Sequence, residues 1–149
     1  MRWMSVPIAL IAGLLFVGDA SAQDWRQLVL SQLDKGGETV RTLGQTDANI
    51  LSRNQVIGML EDGGTSYFEV KLESGISYLF TGACDQDCTD LDLRLVRAAD
   101  FEVVESDVET DDVPVIIFTA PSTALYLVGV DMADCSEDIC YFGFRAYQQ

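Results

Sequence analysis

From residue 55 onward, apolar and polar side chains alternate with a period of two. The strand-like runs lie near 55–60, 65–72, 76–83, 91–97, 101–105, 113–119, 124–130 and 140–147. Alternation of this kind places one set of side chains on each face of a β-strand. Its clearest example sets Leu91, Leu93 and Leu95 against Asp92 and Arg94. Turn-forming clusters separate the runs: Asp62-Gly63-Gly64, Glu73-Ser74-Gly75, Ala98-Ala99-Asp100, Ala120-Pro121-Ser122 and two cysteine-bearing loops. Eight short, evenly spaced strands predict an all-β fold, an antiparallel jelly-roll-like β-sandwich. The run 113–118 is apolar at nearly every position, which reads as a central strand covered on both sides, with Pro114 at its start.

Ahead of the strands the period is helical. Trp25, Leu28, Val29 and Leu33 fall on one face, and Asp24 suits the N-cap. Gly36-Gly37 is expected to end or interrupt this helix, with 38–43 resuming as a further turn. An amphipathic helix here is expected to cover a face or edge of the sheet rather than dock to a partner. The first 22 residues read as a signal peptide: Arg2, a short apolar run over 6–17, and Ala20-Ser21-Ala22 as an A-x-A cleavage site. That run is too short to span a bilayer, where about 20 residues are needed. The organisation expected is a leader over 1–22, a helix and linker over 23–48, and one sandwich over 49–149. The protein is expected to be secreted or periplasmic, with no transmembrane segment.

Charge changes this picture. The chain carries 9 basic and 24 acidic residues and no histidine, for a net charge of −15. Such an excess argues against nucleic acid as a partner and leaves cations, cationic proteins or extracellular polymers. If successive strands run end to end, their loops alternate between the two ends of the sandwich. One end then collects 61–64, 84–90, 106–112 and 131–139. These loops hold Glu61, Asp62, Asp107, Glu109, Asp111, Asp112, Asp131, Asp134, Glu137 and Asp138 besides the aspartates of 84–90, and no Lys or Arg. The other end holds only Glu73 and Asp100 in its loops 73–75, 98–100 and 120–123.

Four cysteines in an exported chain point to two disulfides. Cys84–Cys88 and Cys135–Cys140 are favoured because each pair flanks a tight turn; cross-loop pairing is the second choice, since parity brings both loops to one end. Zinc is disfavoured by the lack of histidine and by the C-x3-C and C-x4-C spacings. Calcium is the sharper candidate, because Asp85, Asp87, Asp90 and Asp92 offer several oxygens in and beside one braced loop. The spacing is not an EF-hand: with Asp85 as first ligand, position six is Asp90 instead of glycine and position twelve is Val96 instead of glutamate. The bland alternative is a solvated loop whose aspartates accept turn amides.

Nucleophilic catalysis lacks a G-x-S-x-G and a histidine base. Paired-carboxylate hydrolysis would need an apolar pocket that raises one pKa. Most aromatics read as core, but strict alternation puts Tyr141 and Tyr147 on one face, opposite Phe142 and Phe144, as candidates for an exposed binding row.

The span from about 55 to 147 resembles the bacterial pre-peptidase C-terminal domains. The resemblance rests on G-M-L-E-D-G-G-T-S-Y-F-E-V-K-L-E-S-G at 58–75, D-L-D-L-R-L at 90–95 and T-A-P-S-T-A-L-Y-L-V-G-V at 119–130, with Ala124 where that family usually has glycine. The two cysteine pairs mark a subgroup of small stand-alone proteins. The resemblance implies a secreted jelly-roll-like sandwich that accompanies hydrolases as an accessory module, and related collagen-binding sandwiches bind calcium. The function expected is a non-enzymatic accessory or binding module whose acidic end, with Asp111, Asp112, Asp131 and Asp134, is the working surface. The alternatives are a calcium-stabilised structural domain and, third, a hydrolase using acidic-loop carboxylates.

Overall fold

The structure, a computed structural model, describes residues 20–42 and 49–148, with side chains over 24–35 and 55–148. The expected signal peptide lies outside these residues, apart from its last few positions. One helix, α1 (Ala20–Thr42), precedes eight strands: β1 (Asn49–Glu61), β2 (Thr65–Leu72), β3 (Ser77–Cys84), β4 (Cys88–Arg97), β5 (Val103–Asp107), β6 (Val115–Thr119), β7 (Ala124–Cys135) and β8 (Ile139–Gln148). Two four-stranded antiparallel sheets form, one in the order β1-β8-β3-β6 and the other β2-β7-β4-β5. Only β4 and β5 make a hairpin within one sheet; every other connection crosses between sheets, so each joins strands of opposite direction. The sandwich predicted from the alternation is the fold observed.

The core lies between the sheets and is built from the inward positions of that alternation. Leu91, Leu93 and Leu95 of β4, Val128, Val130 and Met132 of β7, and Phe142 and Phe144 of β8 are buried there. Burying each such side chain is worth about 1.5–3 kcal/mol. Phe68 meets Phe144 at a ring separation of 5.4 Å, and Phe118 meets Tyr126 at 5.5 Å. Tyr78 keeps its hydroxyl satisfied by accepting the Glu73 N–H at 2.8 Å.

The outer face of the β1-β8-β3-β6 sheet carries α1. Val29 and Leu33 pack on Ala83 and Tyr141, and Gly143 lets the helix approach: a Cβ there would lie 2.8 Å from Val29 Cγ1 and 2.9 Å from Leu33 Cδ1. Asp34 and Gln55 both bond the buried Arg145 guanidinium. The helix does not stop at Gly36-Gly37 but runs through them to Thr42. Two interior glycines cost about 1 kcal/mol each, while a helix already nucleated gains a backbone bond per added residue.

The strand read as central is instead an edge. β6 pairs only with β3, and Val113, Val115 and Ile117 are exposed while Ile116 is buried. Its apolar run reflects an uncovered outer face, not cover on both sides.

Candidate functional site

The alternation of strand directions gathers the loops β1–β2, β3–β4, β5–β6 and β7–β8 at one end of the sandwich. Backbone bonds join them there: Gly63 N–H to Met132 O at 2.8 Å, Ser136 N–H to Asp87 O at 2.8 Å, and Leu91 N–H to Asp111 O at 2.9 Å. Gly63 takes φ +70° in the first of these turns, a conformation that favours glycine. None of the four loops contains Lys or Arg.

The two disulfides are Cys84–Cys88 and Cys135–Cys140, with Cα separations of 5.9 and 6.0 Å. Cys88 and Cys135 face each other across β4 and β7, and the Asp87 carbonyl accepts both the N–H and the Oγ of Ser136. The braced loops therefore form one rigid bracket. Thr89 donates to Asp134 across the same junction, at 2.5 Å.

The four aspartates considered as calcium ligands take separate positions. Asp85 is buried and turned to β8, where its Oδ2 accepts the Tyr141 N–H at 2.8 Å. Asp87 contributes its carbonyl to the bracket. Asp90 stands opposite Asp134 on β4 and β7. Asp92 lies on the outer face of the second sheet, with Arg94 donating to it at 3.2 Å. Arg94 also pairs with Asp131, which in turn accepts the Thr65 hydroxyl at 2.5 Å. Among the described residues, no three acidic or cysteine side chains converge as a metal ligand set. Burial raises the Asp85 carboxyl above its ordinary value, against bonds from the Tyr141 and neighbouring amides that lower it. Burial likewise raises Asp92, outweighing Arg94.

Asp111 caps its own turn by accepting the Val113 N–H at 2.9 Å, and Asp112 beside it is half-buried. Tyr141 and Tyr147 do share a face, but it is the face under α1: Tyr141 is half-buried against Val29 and Leu33, and Tyr147 is only 2 % exposed, packed on Leu79. They do not form an exposed row. A helix laid over a sheet turns its outward side chains into a second, smaller core.

The open part of the acidic end lies elsewhere. Glu61, Asp62, Glu137 and Asp138 surround a wide depression of about 680 Å³, whose remaining lining is Cys135, Ser136 and Ile139. Asp62 Oδ1 holds the Cys135 N–H at 3.0 Å, while Glu61, Glu137 and Asp138 are exposed. Loop parity grouped these residues, but only the register of β1 on β8, with Glu61 opposite Ile139, shows that they share one surface.

No family model and no curated protein sequence matches the chain. Solved structures do. A pre-peptidase C-terminal domain of a collagenase from Bacillus anthracis superposes with a TM-score of 0.51 at 14% identity, over 62% of this chain and 88% of that one. A periplasmic inhibitor of g-type lysozyme from Aeromonas hydrophila gives 0.44 at 10% identity, over 64% and 84%. A CBM4 structure gives 0.45 at 15%, over 68% and 78%. The chain therefore has the sandwich fold of a pre-peptidase C-terminal domain. At such low identity the likeness is one of fold alone.

Proposed function

We propose that this chain is a non-catalytic binding module of an oxidising, extracytoplasmic compartment, and that it takes cationic protein segments or polymers on its acidic end. The observation that carries the reading is the convergence of four loops free of Lys and Arg, with Glu61, Asp62, Glu137 and Asp138 around one open depression. Loops of one sign focus the field and raise the local concentration of an opposite charge, within a screening length of about 8 Å at physiological salt. Disulfide bracing holds the carboxylates apart from a collapsed geometry, so little ordering is needed on binding. Two disulfides fit an oxidising compartment, and among the described residues no helix is long and apolar enough to cross a membrane.

Hydrolysis finds no support in this geometry. The two carboxyls whose pKa is raised, Asp85 and Asp92, line no part of the depression, and each is tied to a neighbour. The test is calorimetric binding of poly-L-lysine across a salt series, to the native chain and to Glu61→Gln/Glu137→Gln/Asp138→Asn. About tenfold weaker binding and a shallower salt dependence are expected for the variant. Unchanged binding would overturn the proposal.

A further inference from the structure

The β5–β6 side of the sandwich combines three properties. First, it is apolar: Phe101, Val103, Val108, Val113, Val115 and Ile117 are six of the ten exposed large apolar side chains among the described residues. Second, it is acidic, with Glu102, Glu105, Asp107, Glu109, Asp111 and Asp112 on the same stretch and no Lys or Arg anywhere between Arg97 and Arg145. Third, β6 is a sheet edge with its own hydrogen-bonding groups on offer.

The register shows which groups those are. Gly82 N–H donates to Pro114 O at 2.9 Å and Ala120 N–H donates to Ile76 O at 3.1 Å, so the even-numbered positions of β6 bond to β3. The N–H and C=O of Val115, Ile117 and Thr119 then point away from β3. Asp107 Oδ2 satisfies the Val115 N–H at 2.7 Å. Beyond it, the Ile117 N–H and C=O meet no strand among the described residues. Protein edges are commonly blunted with Lys or covered. This one has neither: Pro114 stands before the strand, and the side chain beside the open groups is an isoleucine 56 % exposed.

We infer that the β6 edge accepts an extended segment of a cationic partner as an added strand, with alternating basic and apolar side chains. Main-chain bonds to Ile117 would give the affinity, as in strand addition generally. Apolar residues on one face would cover Val115 and Ile117; basic residues on the other would reach the carboxylates of Glu105 and Glu109. A second copy of this chain is a poor occupant, because it brings the same uncompensated negative charge to the edge. The inference deepens the binding reading above and rests on it, since both require a cationic partner, but it uses a different surface.

The test uses the oxidised chain and an acetylated, amidated Lys-Val-Lys-Val-Lys-Val-Lys peptide, with an analogue N-methylated at alternate residues. Three proteins are compared: native, Glu61→Gln/Glu137→Gln/Asp138→Asn, and Ile117→Pro, which removes the open donor at a position that bonds no neighbour and leaves the charge unchanged. The expected result is at least about tenfold weaker binding for the N-methylated peptide and for Ile117→Pro, with protection of the Ile117 amide from hydrogen exchange in the native complex. Equal binding of both peptides overturns the inference without relying on any variant. Loss in the Glu61/Glu137/Asp138 variant alone overturns it while leaving the acidic-end proposal standing. A dimer of the native chain that Ile117→Pro dissolves would name a second copy as the occupant instead. No binding of the peptide up to about 1 mM overturns it as well.

Discussion

Asp85 and Tyr141 hold each other twice: the Asp85 N–H donates to the Tyr141 carbonyl at 3.0 Å, and the Tyr141 N–H donates back to the Asp85 carboxylate at 2.8 Å. This pair welds the β3–β4 loop, with its disulfide, to the first turn of β8. It places a carboxylate that is only 2 % exposed at the base of the acidic end.

That placement has a pH signature. Burial raises the Asp85 and Asp92 carboxyls above the ordinary 3.8, so the folded chain takes up these protons at higher pH than the unfolded one. Their contribution to stability is therefore fully present below about 3.8 and is lost as pH rises through the raised folded values. Relief of repulsion among the loop carboxylates has the same sign. Thermal unfolding between about pH 4 and 7 should show Tm rising toward acid, and Asp85→Asn should flatten the rise. A Tm that falls steadily over that interval would show that paired, not buried, carboxylates dominate.

The seat of α1 is testable at Gly143. An alanine methyl would stand 2.8 Å from Val29 Cγ1 with the Val56 carbonyl 3.2 Å away, so the helix must lift. Gly143→Ala should cost about 1–3 kcal/mol, and Leu33→Ala about 2–5 kcal/mol through the cavity it leaves. Trp25, half-buried on the same helix, reports the event by fluorescence. An unchanged spectrum and midpoint in Gly143→Ala would mean that α1 does not pack there in solution.

At the opposite end, Phe101 takes φ 59° with its ring 73 % exposed. A bulky residue in the left-handed region is strained, and this ring recovers little burial in return. Phe101→Gly should raise stability by roughly 0.5–1 kcal/mol after the entropy of the added glycine is counted. Urea unfolding decides it; a loss of stability would show that the ring is held by contacts.

Divalent cations give a further check. Because the carboxylates of Asp85, Asp92, Asp131 and Asp134 are already engaged by amides, Arg94 or hydroxyls, cations should act on the acidic end by screening alone. Calcium and magnesium should then raise Tm equally at equal concentration. A calcium-specific increase would instead reveal coordination.

How much of this was legible in the sequence depends on which interactions are local. The eight strands, their turns and the gathering of acidic loops all follow from period-two alternation and end-to-end connections, and the local cysteine pairs follow from tight turns. What could not be read is what lies over a face. Val113 to Phe118 has the composition of a doubly covered strand, yet β6 is an edge, because the pattern records apolar side chains and not their neighbours. Tyr147 has the spacing of an exposed row, yet it is buried on Leu79 beneath the helix side of the sheet. Gly36-Gly37 has the signature of a helix stop, yet local propensity gave way to continued backbone bonding. The aspartates of 84–92 are close in sequence but leave in different directions, as strand side chains must.

The pairing of Asn49 with Gln148 has one more consequence. The sandwich starts and finishes on neighbouring strands at the end remote from the carboxylates. At about 3.3 Å per residue, the ten residues of β8 make a stalk of about 30 Å between that point and the acidic tip. Whatever is joined at either terminus, the charged loops are held at arm's length from the tether. A short bridge between the two ends would also close the chain into a ring, or allow it to be reopened elsewhere, without moving the tip.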